Sequence, residues 1–588
     1  MADRDWPNLA AMFFAQARRR GDRPFLWAKR DGAYRSLGWR DAAAQVSDLA
    51  RGLRALGLQR GDRVGLVSEN RPEWVIADLA IISAGGVTVP AYTTHTVEDH
   101  RYLLANSGAR AVIVSTSALA QRVLPAADQV DTVGHVITME TVARGQVSHT
   151  EVLPFDEVMA RGRQAGGAVE EWIGELGHED LACLIYTSGT GGIPKGVMTS
   201  HRNILSNCEG AFRLLETLAL GDEVFLCFLP LSHSYEHTAG MMFPISLGAE
   251  IYFAEGADTL VTNLVEARPT IMTAVPRLYE TMHQRMLRGV EREGRLKAKL
   301  FHLAVDLGRK RYVDPASLTF GERIMDWLVE RLVRDKVRAR FGGRLKAMIS
   351  GGAPLNPEIG KFFLALGLRL LQGYGQTESA PAISVNPPTR IKIHTVGLPL
   401  ADVEVRIAED GEILVRGPLV MKGYWNDPEG TARALDGGWL HTGDVGEIDR
   451  DGYIIITDRK RDFIKNSGGD MIAPARVEGY LTLEPDIAQA MVYGDRRPFL
   501  VAVLVPSKER LDRCTGADDP ELAKTLAAAV TRANQALMPV ERVRRFTIAA
   551  EPFTTANGQM TPTLKIRRHA IRQVYGPALD ALYEAKTG

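Results

Sequence analysis

The chain has little that would tie it to a charged polymer, a membrane span or a disulfide framework. Its 588 residues carry 71 Lys and Arg against 71 Asp and Glu, a formal net charge of zero at pH 7. No global field draws such a chain to nucleic acid or anionic lipid, so nucleic acid is not an expected partner and any attraction must be local. Only 4 cysteines occur. Cys183, Cys208, Cys227 and Cys514 lie far apart, with no Cys-x-x-Cys pair and no histidines at zinc spacing. That usage points to a reduced, cytoplasmic setting. The opening MADRDWPNLA lacks the apolar core of a signal peptide. The most apolar run, Trp74 to Tyr92, is broken by Asp78, Gly85, Gly86 and Pro90, which argues against a transmembrane helix.

What is present is ordinary globular composition, 45% hydrophobic and 24% charged, at a length that calls for roughly three to four domain-sized units. From Leu53 to Ser115, helical patterns such as EWVIADLAIISAGG alternate with apolar runs such as RVGLVS and AVIVS, the rhythm of a parallel α/β layer. The segment Arg285 to Arg340 differs, being helical, without a strand-like run, and visibly basic (RLKAKLFHLAVDLGRKRY, VERLVRDKVRARF). It reads as an inserted helical pair, whose basic face is either a solvated amphipathic surface or a patch that meets an acidic partner or, peripherally, the inner face of a membrane. Near Val403 short strands with turn signals begin, VEVRIAEDGEILVRG and VGEIDRDGYIIITDRKRDFIK, a small β-rich unit. The charged run Asp458 to Asp462 then separates that unit from a last segment, read as a small C-terminal domain on a polar hinge.

The stretch Ile185 to Gly196, IYTSGTGGIPKG, sits between an apolar run (LACLIY) and a second short strand (VMTS), with Ser200 as N-cap of the helix that follows. It is not a Walker A loop, because Lys195 lies between Pro194 and Gly196 instead of opening a helix. It is not a dinucleotide fingerprint either, since Pro194 stands where the third glycine belongs. Its ingredients are still those of a phosphate grip: glycines that let N–H groups turn inward, hydroxyls on Thr187, Ser188 and Thr190, and the Lys195 charge. A plain flexible turn is the alternative for the loop alone.

Further along stand SGGAP (Ser350 to Pro354), GYGQTES (Gly373 to Ser379), HTGD (His441 to Asp444) and TPTLKIRR (Thr561 to Arg568). With the loop, in this order, they resemble the adenylate-forming enzymes, and the resemblance spans nearly the whole chain. GDRVGLVSENRPEW, PLSHSYEH, GEILVRGPLVMKGYWNDPEGT and the helical insertion are most similar to long-chain fatty acid CoA ligases. The resemblance implies a large N-terminal α/β adenylation domain over 1–457, with an insertion at about 281–340 and a β-rich unit at about 400–457. A hinge would follow at 458–462, then a mobile α+β C-terminal domain over 463–588.

It also implies ATP and Mg²⁺ as cofactors, a fatty acid and coenzyme A as substrates, and a role for each motif. Thr187, Ser188, Gly189, Thr190, Gly191, Gly192 and Lys195 would wrap the β- and γ-phosphates, with Gly191 where the family usually has a second threonine. Gly351, Gly352, Ala353 and Pro354 would lie against adenine, and so would the Tyr374 ring between Gly373 and Gly375. Thr377 would meet the α-phosphate, while Glu378, with Thr187, would hold the metal. Asp444 and Arg459 would bind ribose. His233 would stand near the carboxylate and gate the acyl tunnel. Lys565 would reach the carboxylate and α-phosphate where charge develops. Rotation about Arg461 would then present Gly468 and Gly469 to the pantetheine arm, with Asp470 replacing the usual glutamate. Rival readings are a fatty acyl-AMP ligase that loads a carrier protein, an aryl or short-chain acid ligase, and a binding protein without turnover. Oligomeric state and acyl chain length are not legible.

Overall fold

A computed structural model of the chain describes residues 5–142, 150–187, 193–256, 258–459, 463–468, 470–514, 516, 519–561 and 564–584. Strands buried on both faces need continuous apolar runs, and these build two large sheets. The first has seven strands in the order Glu151–Pro154, His135–Thr138, Ala111–Val114, Arg63–Val67, Val87–Ala91, Leu181–Thr187 and Lys195–Ser200. All neighbours are parallel except the last pair, which is an antiparallel hairpin.

The second sheet has nine strands in the order Leu398–Pro399, Ala382–Val385, Leu370–Gly375, Ala347–Ser350, Ile271–Ala274, Val224–Cys227, Glu250–Phe253, Pro24–Arg30 and Ala33–Gly38. It is parallel in its centre and antiparallel at both edges. The helix Pro72–Ser83 is buried at every position but Glu73. The apolar run from Trp74 is therefore a core helix followed by the strand Val87–Ala91, and no helix among the described residues is long and apolar enough to cross a membrane.

A smaller antiparallel sheet follows, joining Glu404–Ile407, Glu412–Arg416, Trp439–Ile448, Leu435–Asp436 and Ile454–Arg459. The smaller C-terminal domain has a three-stranded sheet, Ile487–Tyr493, Leu500–Pro506 and Val543–Ile548, with the helices Pro474–Leu481, Pro520–Asn534 and Arg568–Glu584. The architecture is α/β throughout the large part and α+β in the small one.

The insertion is more divided than a helical pair. It runs through the helices Pro276–Arg292, Arg295–Val313, Phe320–Val329 and Asp335–Arg340, the last two joined by a π-helical turn Glu330–Arg334. Much of its basic charge is neutralised in place, by Lys310 with Glu322 at 2.8 Å, Arg311 with Asp326 at 2.9 Å, Arg338 with Glu330 at 2.7 Å and Lys297 with Glu293 at 3.2 Å. A linear charge count cannot register pairing between helices that only the fold brings together.

Candidate active site

In open α/β sheets ligands collect beyond the carboxyl ends of the parallel strands. Here Leu181–Thr187 ends in the glycine loop, Val224–Cys227 leads to His233, Ala347–Ser350 ends in Gly351, and Leu370–Gly375 ends before Thr377. The motifs converge because each occupies the end of a strand in one of two adjoining sheets.

Thr187 and Lys195 face one another across the mouth of the hairpin. Ser188, Gly189, Thr190, Gly191 and Gly192 lie outside the described residues. Ser200 caps the helix His201–Leu215 through the Asn203 N–H. The Lys195 ammonium is 2.7 Å from Asp427 and 4.6 Å from the centre of the Tyr424 ring. Lys195 in turn holds the Asp427 carboxyl below its usual range, together with the Gly430 N–H.

On the second sheet, the buried Tyr374 hydroxyl donates to Asp444 at 2.6 Å, which joins the predicted adenine platform to the predicted ribose acceptor. Gly375 admits no side chain, since a Cβ there would lie 1.9 Å from the Pro381 carbonyl oxygen. HTGD lies within the strand Trp439–Ile448 where its register against Glu412–Arg416 shifts, and Glu412 fixes it there: its carboxylate accepts the Gly443 N–H at 2.8 Å and lies 3.1 Å from His441 Nδ1. Arg459 ends the strand opposite Asp444, its Cα register partner. Gly351 stands against the Tyr235 ring, which a Cβ would approach to 3.0 Å. Gly352 turns the chain after it with φ of 80°, and Ala353 and Pro354 lead outward.

Thr377 Oγ1 is buried 3.0 Å from Ser234 Oγ. Glu378 accepts the Tyr424 hydroxyl at 2.8 Å, and its own carbonyl accepts the Met421 N–H. His233 Nδ1 accepts the Tyr235 N–H at 3.1 Å. Burial pushes the His233 pKa down to about 3, and the positive charge of Lys565 adds to the shift. The imidazole is therefore neutral near pH 7, and Lys565 of the C-terminal domain lies near enough for its charge to be felt at this ring of the large domain. Next to it, the Glu236 carboxyl is fully buried against Thr273 Oγ1 at 2.7 Å and the Phe228 N–H at 3.1 Å. Burial pushes its pKa up to about 7 against those hydrogen bonds.

Lys565 is set by local and domain contacts. Its N–H donates to Thr561 Oγ1 at 3.1 Å, and its carbonyl accepts the Thr561 N–H at 2.8 Å. Three residues on, Arg568 grips both oxygens of Glu478, at 2.5 and 2.6 Å. The domain itself docks by polar contacts, from Asn356 to the Gly479 carbonyl at 2.9 Å, Gln284 to the Thr482 carbonyl at 3.2 Å, and Arg288 to Glu509 at 3.3 Å.

The hinge residue Arg461 and Gly469 lie outside the described residues. Gly468 and Asp470 sit in the small hairpin Ile464–Lys465 and Met471–Ile472, where Asn466 donates to Asp470 at 2.9 Å. The nearest atoms to Gly468 belong to Asn466 and Asp470 of the same hairpin. Sequence reasoning missed Tyr424, Asp427, Ser234 and Glu412. The signal for all four lay within PLSHSYEH and GEILVRGPLVMKGYWNDPEGT, both noted only as likenesses.

Comparison with known proteins gives matches along most of the chain. The AMP-binding enzyme family model matches residues 13–425, and the AMP-binding enzyme C-terminal domain matches 461–587. A long-chain-fatty-acid–CoA ligase of Mycobacterium tuberculosis is 33% identical over 592 residues, covering 98% of this chain and 97% of its own length. Long-chain-fatty-acid–CoA ligase 1 of Homo sapiens is 31% identical over 611 residues, covering 96% of this chain and 83% of its own. Among solved structures, the AMP complex of the A-PCP didomain of the Segniliparus rugosus carboxylic acid reductase superposes with a TM-score of 0.79 at 23% identity. That match covers 98% of this chain and 82% of the reductase chain. A benzoate CoA ligase from Burkholderia xenovorans superposes with a TM-score of 0.71 at 25% identity, covering 96% and 99%.

Proposed function

The chain belongs to the AMP-binding enzyme family, and from that premise we propose that it is an ATP-dependent ligase that activates a long-chain fatty acid as acyl-AMP and transfers the acyl group to coenzyme A. What supports this reading is the charge of Lys565, from the C-terminal domain, felt at His233, whose neighbour Ser234 lies 3.0 Å from Thr377, together with the Glu378–Tyr424 and Tyr374–Asp444 hydrogen bonds.

A carboxylate cannot expel oxide, so it must first attack the α-phosphate of ATP and release pyrophosphate. Negative charge gathers at phosphorus in that step, and the chain meets it with fixed donors. Lys565 supplies a positive charge beside the carboxylate, and Thr377 a hydroxyl already oriented by Ser234. Neutral His233 can approach the acid without bringing a second fixed charge. Tyr374 and Gly351 bound the adenine, and Asp444 accepts the ribose hydroxyls. The residues fit Mg²⁺, because one carboxylate, Glu378, with the Thr187 hydroxyl suits a hard cation that keeps water and phosphate oxygens as its other ligands. When bound, Mg²⁺ would neutralise phosphate charge. A thiol then displaces AMP, and Gly468 and Gly469 are proposed to flank the pantetheine path once the domain has turned about Arg461. We place the enzyme in a reducing cytoplasm, in keeping with four free cysteines, three of them buried.

A panel of acids from acetate to oleate, with benzoate included, scored by CoA-dependent AMP release, tests the reading. Acids of about twelve or more carbons should give the highest kcat/KM, since each buried methylene contributes roughly 0.8 kcal/mol. Acetate or benzoate as the best substrate would overturn the chain-length assignment. Pyrophosphate exchange without acyl-CoA would overturn the transfer to CoA.

A further inference from the structure

One helix of the insertion is arranged inside out. Along Phe320–Val329 and the turn after it, Val329 shares the inward face with buried charge. Arg334, with no exposed surface, donates to the Ala304 and Ala365 carbonyls at 2.7 Å each and pairs with Asp326 at 2.7 Å and Glu330 at 3.0 Å. The outward face carries Phe320, 81% exposed, and Trp327, 62% exposed, with Ile324, Leu328 and Leu332. These five recur at three- and four-residue intervals and so form one stripe. A surface helix that faces only water carries its large apolar residues on the other side.

Three exposed cations flank the stripe, Arg323, Arg331 and Lys336. Among the described residues none of them pairs with a carboxylate, and Arg323 donates only to the Leu318 carbonyl at 3.2 Å. The carboxylates nearby are already engaged, Glu322 by Lys310, Asp326 and Glu330 by Arg334, and Asp335 by Arg338. The face is thus apolar at its centre and positive at its rim.

We propose that this face docks into a phospholipid leaflet. Its apolar side chains would enter the acyl boundary, the Trp327 indole would sit at headgroup level, and the three cations would meet phosphates. A second copy of the chain fits less well, because a two-fold contact through this face would gather the unpaired cations of both copies around one apolar patch. Since most other cations of the insertion are paired, apolar insertion dominates, and binding should survive salt that shortens the Debye length to about 3 Å. Collection of fatty acid from the bilayer rests on the ligase reading; the docking does not.

The test is flotation with vesicles of phosphatidylcholine, alone or with phosphatidylglycerol, at low salt and at about 1 M salt. The variant Phe320→Ser/Trp327→Ser/Leu332→Ser should partition roughly tenfold or more less than wild type on both vesicles and at both salts. The variant Arg323→Gln/Arg331→Gln/Lys336→Gln should lose binding chiefly on anionic vesicles at low salt. Unchanged thermal unfolding checks the fold of both. Equal partition of wild type and the serine variant would overturn the proposal. So would a wild-type dimer that the serine variant dissociates, which would make the face a contact between copies. Loss of vesicle binding in the serine variant of a protein that ligates no acid would sustain the docking and sink the ligase reading.

Discussion

At the scale of single residues, two neighbours in PLSHSYEH are pushed in opposite directions by the same burial, and the signs can be separated by titration. Glu236 is raised from the ordinary glutamate range to about 7. Protonation therefore favours the folded state: the contribution is complete below about pH 4.5 and is lost as pH rises through about 7. Glu236→Gln keeps a neutral group there, so urea unfolding should show roughly 3 kcal/mol less stability loss than wild type between those pH values. His233 is lowered to about 3. Its neutral form favours the fold above about pH 6.5, and that contribution falls away below it as the unfolded chain takes up a proton. The His233 ring protons should show no NMR titration between about pH 5 and 8; a midpoint near 6.5 would contradict the geometry. Tyr424→Phe tests the partner that the motif reading overlooked. Removing a hydrogen bond to a charged group costs roughly 1.5–3 kcal/mol, so kcat/KM for ATP should fall by at least about tenfold. The deficit should narrow as Mg²⁺ is raised.

At the scale of elements, the sequence announced those parts of the site whose chemistry is written locally. The apolar run LACLIY, the short strand at VMTS and Ser200 as a cap each depend on near neighbours, and the strands Leu181–Thr187 and Lys195–Ser200 and the Ser200 cap are where the local pattern put them. What stayed hidden depends on long separations: Lys195 finds Asp427, Glu378 finds Tyr424, and Arg334 finds Ala304 and Ala365. The same limit made the segment Arg285 to Arg340 read as a basic surface, when its inward charges are buried partners and its outward stripe is apolar. Arg334→Ala would leave Asp326 and Glu330 without their buried partner and should cost about 3–5 kcal/mol. Thermal inactivation would report it, and replacing Arg334 and Asp326 together by Leu should recover much of the loss. Glu478 acts on another element. By holding Arg568 at the start of the last helix it fixes the short segment before that helix, which carries Lys565. Glu478→Ala should therefore slow adenylation more than it slows thioester formation from ready-made acyl-AMP, with the KM for the acid little changed.

At the scale of the whole molecule, the roles proposed for Lys565 and for the glycine hairpin assign the docked arrangement to adenylation and a second arrangement to thioester formation. The charge of Lys565 is felt at His233, while the hairpin with Gly468 makes its described hydrogen bonds within its own domain, through Asn466, Asp470 and the Arg497 carbonyl. Among the described residues, the contacts between the domains include polar bonds from Asn356, Gln284, Arg288 and Arg292, with Leu483 packed against the large-domain core. Interfaces of that kind permit rotation at small cost. If the domain alternates, a lysine that stabilises charge only in the first step can be withdrawn before the second. Lys565→Ala should lose several kcal/mol of transition-state stabilisation, roughly a hundredfold or more, in acid-dependent ATP–pyrophosphate exchange. Given synthetic acyl-AMP and CoA, the same variant should still form thioester. Gly468→Trp should show the converse, because an indole on that hairpin would obstruct the pantetheine arm and leave the adenylation face as it is. Arg288→Ala, which removes one of the two arginines on Glu509, should favour departure from the docked state. It should lower the exchange rate modestly without lowering thioester formation. Equal loss of both half-reactions in the Lys565 and Gly468 variants, with circular dichroism unchanged, would mean that one fixed arrangement serves both steps.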